Sequence, residues 1–200
     1  MKVDMGKTAV IACVVVFSGC TLFSPVNTDT KKYVLNNIPV DLPYESAHSA
    51  TLLVLVSDTM PAYATTQMAY SAQAYQISYF SKNEWAATPA QMIQPLIVKT
   101  LRDTHYFSEV LSPPYFGRHT FALHIEILEL KQDFTAEPAM LLTMRASLSR
   151  EATNQIVATK ELSVREDMLE RNPYAGVVAA NEAMPKILRE LAKFVIETAD

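Results

Sequence analysis

Residues 51–57 read Thr-Leu-Leu-Val-Leu-Val-Ser, a continuous apolar run with no polar alternation. A strand with one wet face alternates, so a strand that does not alternate must be covered on both faces. The run therefore belongs in the middle of a sheet. The rest of the chain has to supply its neighbouring strands and a covering layer. Half of the 200 residues are hydrophobic, enough for a sizeable core.

The neighbours can be read on both sides of that run. Tyr33-Val34-Leu35 forms a first strand, closed by Asn36-Asn37 and Pro39. Residues 67–70 and 75–80 are short strands of a hairpin, with Tyr75, Ile77 and Tyr79 on one face. The period then changes to helical. Thr88 caps, Pro89 fits the first helical position and Gln91 completes a capping box. Met92, Ile93, Leu96, Ile97 and Leu101 follow at helical spacing, with Pro95 inside. Residues 106–111 read as a short edge strand before Pro113-Pro114. Phe121, Leu123, Ile125 and Ile127 alternate with polar or small residues, and the phase slips at Leu128-Glu129-Leu130, the mark of a bulge. Residues 140–150 and 156–165 flank Asn154-Gln155 and should pair antiparallel. Asn172 and Pro173 open a long closing helix whose stripe includes Val177, Met184, Leu188, Leu191 and Val195. The expected fold is α+β: a two-layer sandwich, with a mainly antiparallel sheet and two main helices packed on one face.

The N-terminus carries a different signal. Lys2 and Lys7 precede an apolar run, residues 8–17, then Ser18-Gly19-Cys20. A spanning helix needs about twenty apolar residues, so this run has the length of a signal-peptide core. The small residues before Cys20 leave the backbone open to a peptidase. The arrangement resembles the bacterial lipobox, in which the cysteine is acylated and becomes the mature N-terminus; Phe17 replaces the aliphatic residue usual at its first position. The alternative is an ordinary buried cysteine in a short helix, and the polar stretch behind it offers no nearby core. Thr21 is not the Asp that resembles an inner-membrane retention signal, so the outer membrane is the expected address. The expected organisation is a signal peptide over residues 1–19, a lipidated N-terminus and tether over 20–32, and a folded domain over 33–200.

Removing residues 1–19 leaves 181 residues with a net charge of −5, which argues against nucleic acid as a partner. The only other cysteine, Cys13, lies in the leader, so the mature chain has neither a disulfide nor a cysteine-based zinc site to rely on. Only Gly117 and Gly176 follow the leader, too few for a phosphate-binding loop. No H-E-x-x-H or G-x-S-x-G occurs. His119 and His124 are not spaced to share a strand face, and Glu126 and Glu129, three apart, should face opposite sides. The expectation is a protein without catalysis, cofactor or metal. Trp85, the single tryptophan, either packs the helix entrance onto the sheet or serves as a docking anchor. With Tyr70 and Tyr79 it belongs to a dense aromatic group that could contact a partner or a lipid.

The order of these features carries a resemblance. Tyr33-Val34-Leu35 is followed by the apolar strand, by Met68-Ala69-Tyr70-Ser71, by Tyr75-Gln76-Ile77-Ser78-Tyr79-Phe80, and by Asn83-Glu84-Trp85-Ala86 leading into a helix. Together they resemble the ABC-type transport auxiliary lipoprotein family, the group with the PqiC-like outer-membrane lipoproteins. Family members often carry arginines where this chain has Ser71 and Glu84. The resemblance implies a non-enzymatic, membrane-anchored component of a lipid transport system that maintains the cell envelope. Its implied partner is a mammalian-cell-entry-domain protein of an ABC transporter, its cargo phospholipid or a similar molecule, and self-association into a homo-oligomer is consistent with it. The alternative is an envelope scaffold, such as an activator of a cell-wall synthase.

Overall fold

The computed structural model describes residues 29–43, 48–115 and 117–199. Its spine is β7 (Phe121–Asp133), thirteen residues long, where Phe121, Leu123, Ile125 and Ile127 are almost fully buried. One edge of β7 pairs antiparallel along its whole length with β8 (Ala139–Arg150), and β8 pairs antiparallel with β9 (Gln155–Asp167). The other edge is shared end to end by β2 (His48–Val54), β3 (Asp58–Thr59) and β4 (Gln67–Ser71), all three parallel to β7. Beyond this edge the sheet divides. β6 (Phe107–Leu111) continues the wing that starts with β2, and β5 (Ser78–Trp85) followed by β1 (Lys31–Tyr33) continues the wing that starts with β4.

The sheet is therefore mixed, which corrects the expectation of a mainly antiparallel one. Among the described residues five pairings are parallel (β1 with β5, β2 with β6, and β7 with β2, β3 and β4) and three are antiparallel. Tight connections along β7, β8 and β9 produce the antiparallel half. The parallel half needs crossovers, and the chain makes them through β5, the first helix and β6. The apolar run lies in mid-sheet only over Leu52–Val54; the strand ends there, and Leu55 and Val56 fall in the following link with Val56 exposed. Leu52, Leu53 and Val54 are buried on both faces, with β6 on one side and β7 on the other.

Two helices complete the α+β fold. α1 (Pro89–Asp103) begins as its sequence predicts, with the Thr88 amide donating to Gln91 Oε1 at 3.1 Å. Its Gln94 carboxamide locks the helix to the link between β2 and β3. Gln94 Oε1 accepts from the Ser57 amide at 3.0 Å and from Ser57 Oγ at 2.6 Å, and Nε2 donates to the Leu55 carbonyl at 2.9 Å. These bonds satisfy backbone groups that no strand reaches. α2 (Pro173–Ala199) is capped by Asn172, whose Oδ1 accepts from the Ala175 amide at 2.8 Å. Met184, Ile187, Leu188, Leu191 and Val195 form its fully buried stripe. α1 touches β3, β6 and β7, α2 touches β7, β8 and β9, and the helices touch each other. Their buried residues and the buried row of β7 form one core cluster.

Other strand boundaries depart from expectation as well. The first strand is Lys31–Tyr33, and Leu35 lies beyond it, buried. β5 starts at Ser78, because Tyr75 takes a left-handed φ of 64° in the preceding turn and is fully exposed. The bulge is where the phase slip places it, between Ile127 and Glu129.

Gly176 sets how closely α2 lies on β7. A Cβ there would run into the carboxamide of Gln132, which is fully buried and donates to the Pro173 carbonyl at 3.1 Å. Helix propensity alone would gain about 1 kcal/mol from Gly176→Ala. Forcing a buried, hydrogen-bonded side chain aside costs about 1–3 kcal/mol, so the net effect is a lower melting temperature. In a Gln132→Ala background the same glycine change should be neutral or stabilising. Thermal unfolding of the four variants of this cycle checks the coupling.

Candidate functional surface

The face of β7, β8 and β9 turned away from the buried row is polar, and its residues are paired across the strands. Arg145 on β8 reaches Glu126 on β7 at 2.7 Å and Glu161 on β9 at 3.6 Å. Thr143 pairs with Ser163 at 2.9 Å and Ser147 with Thr159 at 3.0 Å. Such cross-strand pairs each add a few tenths of a kcal/mol, up to about 1, and they fix register more than they stabilise. The bulge corrects one reading here. Glu126 and Glu129 do not face opposite sides, since the extra residue in β7 returns Glu129 to the face of Glu126.

Past the bulge, this face gathers a charged group that the sequence reading did not single out. Glu129, Lys131 and Asp133 alternate with the buried Leu130 and Gln132. Lys131 Nζ lies 2.9 Å from Glu129, and Arg165 lies 3.7 Å from Asp133. Tyr63, in the link before β4, is buried nearby. Burial pushes its hydroxyl pKa up, Lys131 pulls the other way, and Glu129 and Tyr79 add to the rise. For Lys131, burial alone would lower the pKa, but the hydrogen bond and charge of Glu129 outweigh it and hold the ammonium above its usual range. For Asp133, burial raises the pKa, but hydrogen bonds from the amide and hydroxyl of Thr135, with Lys131 and Arg165, bring it below the carboxylate range. The alternation of charged residues from Glu129 to Asp133 was the signal that could have located this group.

The structure separates the three aromatic candidates. Tyr79 pairs with Ala69, which pairs with Lys131, so Tyr79 lies on the charged face. Its hydroxyl donates to the Ala62 carbonyl at 2.8 Å while the ring stays partly exposed. Tyr70 pairs in the opposite phase, beside the buried Gln132, and stacks on Phe80 with ring centroids 4.5 Å apart. Trp85 is 2% exposed at the end of β5, inside the core, so it fits the packing role and not that of a surface anchor. Cys20 lies outside the described residues. Tyr75, Ile77 and Tyr79 are exposed, as is Met60 on the link that carries Ala62 and Tyr63; other exposed apolar residues include Leu169, Tyr174 and Val178 at the start of α2. A separate groove of about 700 Å³ runs along the outer side of α1, with Val56, Pro95, Val98 and Pro113 in its lining and Lys99 and Asp103 paired at 2.8 Å on its edge.

His124 lies 3.6 Å from Asp58, and among the described residues no group of three or more His, Cys, Asp or Glu is placed to hold a metal ion. The charged groups are engaged with one another, and the apolar rim beside them is exposed.

Residues 33–192 match the family model described as the ABC-type transport auxiliary lipoprotein component. Among solved structures, protein XCC0632 from Xanthomonas campestris aligns with a TM-score of 0.77 at 16% identity, covering 84% of this chain and 96% of that one. Protein CT253 from Chlamydia trachomatis aligns with a TM-score of 0.53 at 11% identity, covering 76% and 98%. These likenesses speak for the fold alone. No curated protein matches the chain.

Asp133 gives this surface a pH signature. A depressed folded-state pKa contributes stability that is present above the unfolded carboxylate value, about 4, and is lost as the pH falls through the folded one. Asp133→Asn should therefore be less stable than the parent chain at pH 7, and the difference should close as acid protonates the parent carboxylate. Urea unfolding of both proteins at neutral and acidic pH measures it.

Proposed function

Because this chain belongs to the ABC-type transport auxiliary lipoprotein component family, we propose that it is the lipid-anchored docking component of an envelope lipid transporter. The family is one of transport auxiliaries, not of enzymes, and its model spans β5, α1, the whole β7–β8–β9 meander and most of α2. That match is the observation that carries the proposal. In this reading Cys20 is acylated and holds the domain at the periplasmic face of the outer membrane. Residues 21–30, with Ser24, Pro25, Asn27 and Asp29, form the tether. More than one acyl chain makes such an anchor durable, because a single chain binds membranes only marginally. The cargo is a phospholipid or another hydrophobic molecule, and the partner is a mammalian-cell-entry-domain protein that spans from the inner membrane.

The domain contributes a contact surface. An apolar rim at Tyr75, Ile77 and Tyr79 bordered by the Glu129, Lys131 and Asp133 group has the composition of a docking patch, with apolar anchors beside a polar border. Trp85, buried at the end of β5, supports that part of the sheet from within, and the half-buried Tyr70 stacks on Phe80 on the opposite face.

Affinity isolation of the full chain from envelope membranes should recover a mammalian-cell-entry-domain protein, and deletion should sensitise cells to detergent. Recovery of a cell-wall synthase in its place, with normal detergent resistance, contradicts the proposal. Cys20→Ser should abolish palmitate labelling and lose the partner from membranes; labelling that persists removes the anchor from the account.

A further inference from the structure

A second cleft lies where β9 hands the chain to α2. It holds about 220 Å³, with Asp167, Leu169, Glu170, Tyr174, Val178 and Glu182 in its lining. Its apolar side chains are held out to solvent. Leu169 is 96% exposed, and Tyr174 and Val178 are exposed on the first turns of α2. The link that carries Leu169 is fixed. The Met168 amide donates to the Pro138 carbonyl at 2.9 Å, and Arg171 donates to the carbonyls of Phe134 at 3.2 Å and Ala136 at 2.7 Å. The Tyr174 ring lies beside that of Tyr33, 6.0 Å between centroids. Apolar side chains gathered in water around a cleft mark an interaction site, as scattered ones do not.

The charge of this cleft is one-sided. Its lining contains Asp167, Glu170 and Glu182 and no basic residue. The cations nearest in sequence are committed elsewhere: Arg165 to Asp133, Arg171 to backbone carbonyls, and Lys186, one turn beyond Glu182, to Glu166. Among the described residues no cation pairs with any of the three carboxylates. The start of α2 accounts for Glu170, which accepts from Asn172 Nδ2, because a helix N-terminus favours a nearby anion. It does not account for Glu182, which lies well beyond the first turn, where that effect has faded.

We propose that this cleft takes an arginine side chain, flanked by apolar residues, from a segment of another protein. Carboxylates around a partly closed space concentrate negative potential and favour a cation. A guanidinium meets several carboxylates at once through its fork of donors, while its plane packs on the Tyr174 ring and its stem on Val178. The volume fits one side chain and falls below the roughly 300 Å³ at which small-molecule sites begin. The cleft therefore suits the anchor residue of a larger partner, and the flanking apolar residues cover Leu169 and Tyr174. This site is separate from the rim at Tyr79 and does not depend on the transport reading.

The test uses the full chain in detergent and a fluorescent peptide with one arginine between leucines, read by anisotropy against micelles alone. Binding should be saturable, should weaken with salt, and should fall about tenfold when citrulline, of nearly the same shape but uncharged, replaces the arginine. Glu182→Gln should weaken it about tenfold and Leu169→Ser several-fold, while Glu182→Asp stays within a few-fold. Glu190→Gln, the same charge change farther along α2, should leave it unchanged. Circular dichroism of each variant establishes that the fold is kept. The arginine and its apolar flanks are claimed to suffice, so no saturable binding below about 1 mM overturns the proposal. Equal binding of the citrulline peptide overturns it, as does an equal loss from Glu190→Gln and Glu182→Gln. Displacement by equimolar ethanolamine would give the cleft to an amine headgroup, and binding that appears only on dilution would give it to a second copy; either result contradicts the assignment.

Discussion

The structure depends on how the backbone hydrogen bonds of β7 are divided. A thirteen-residue strand with a fully buried row cannot leave either edge open, because unpaired amides and carbonyls in a core are costly. One edge is satisfied by a single long partner, β8. The other is satisfied by three short strands placed end to end, β2, β3 and β4. That division splits the sheet into two wings and leaves the link between β2 and β3 short of strand partners. Gln94 fills the need from α1 through Ser57 and Leu55, so the first helix is held by hydrogen bonds as well as by its apolar stripe. α2 then covers the β7–β8–β9 half, with Gly176 and Gln132 setting the distance between helix and strand.

Much of this was legible because local chemistry decides it. The Thr88-Pro89-Ala90-Gln91 start, the Asn172 cap, the β8–β9 turn at Asn154 and the bulge after Ile127 all follow from residue types at fixed spacing. The parallel pairings were not legible, since they join segments far apart in sequence. Leu52 pairs with Phe121, and nothing local to either residue states it. The same limit hid the wings, and with them the fact that Tyr70 and Tyr79, nine positions apart, lie on opposite faces. Alternation with Ile77 and Tyr79 makes Tyr75 read as a strand residue, whereas the turn before β5 holds it at positive φ.

The surface was legible only in part. The aromatic group is visible in the sequence, but Trp85 is internal, Tyr70 is half-buried on the face opposite Tyr79, and the charged group beside Tyr79 has no local signal beyond its alternation. Glu126 and Glu129 show why. Counting residues puts them on opposite faces, and one bulge residue reverses the count for Lys131 and Asp133 too. With the bulge taken into account, the polar face runs from the exposed Tyr79 on its β4–β5 side, through the charged group of β7, to the cross-strand pairs of β8 and β9.

In the proposed reading, the domain meets its transport partner through the rim at Tyr79 on the polar face. Site-specific photo-crosslinking in intact envelopes tests it most directly, with the crosslinker at Tyr79 on the rim or at the exposed Glu190 on α2. The account predicts a crosslink to a mammalian-cell-entry-domain protein from Tyr79 and none from Glu190. Capture of that protein from Glu190 with none from Tyr79 would contradict it.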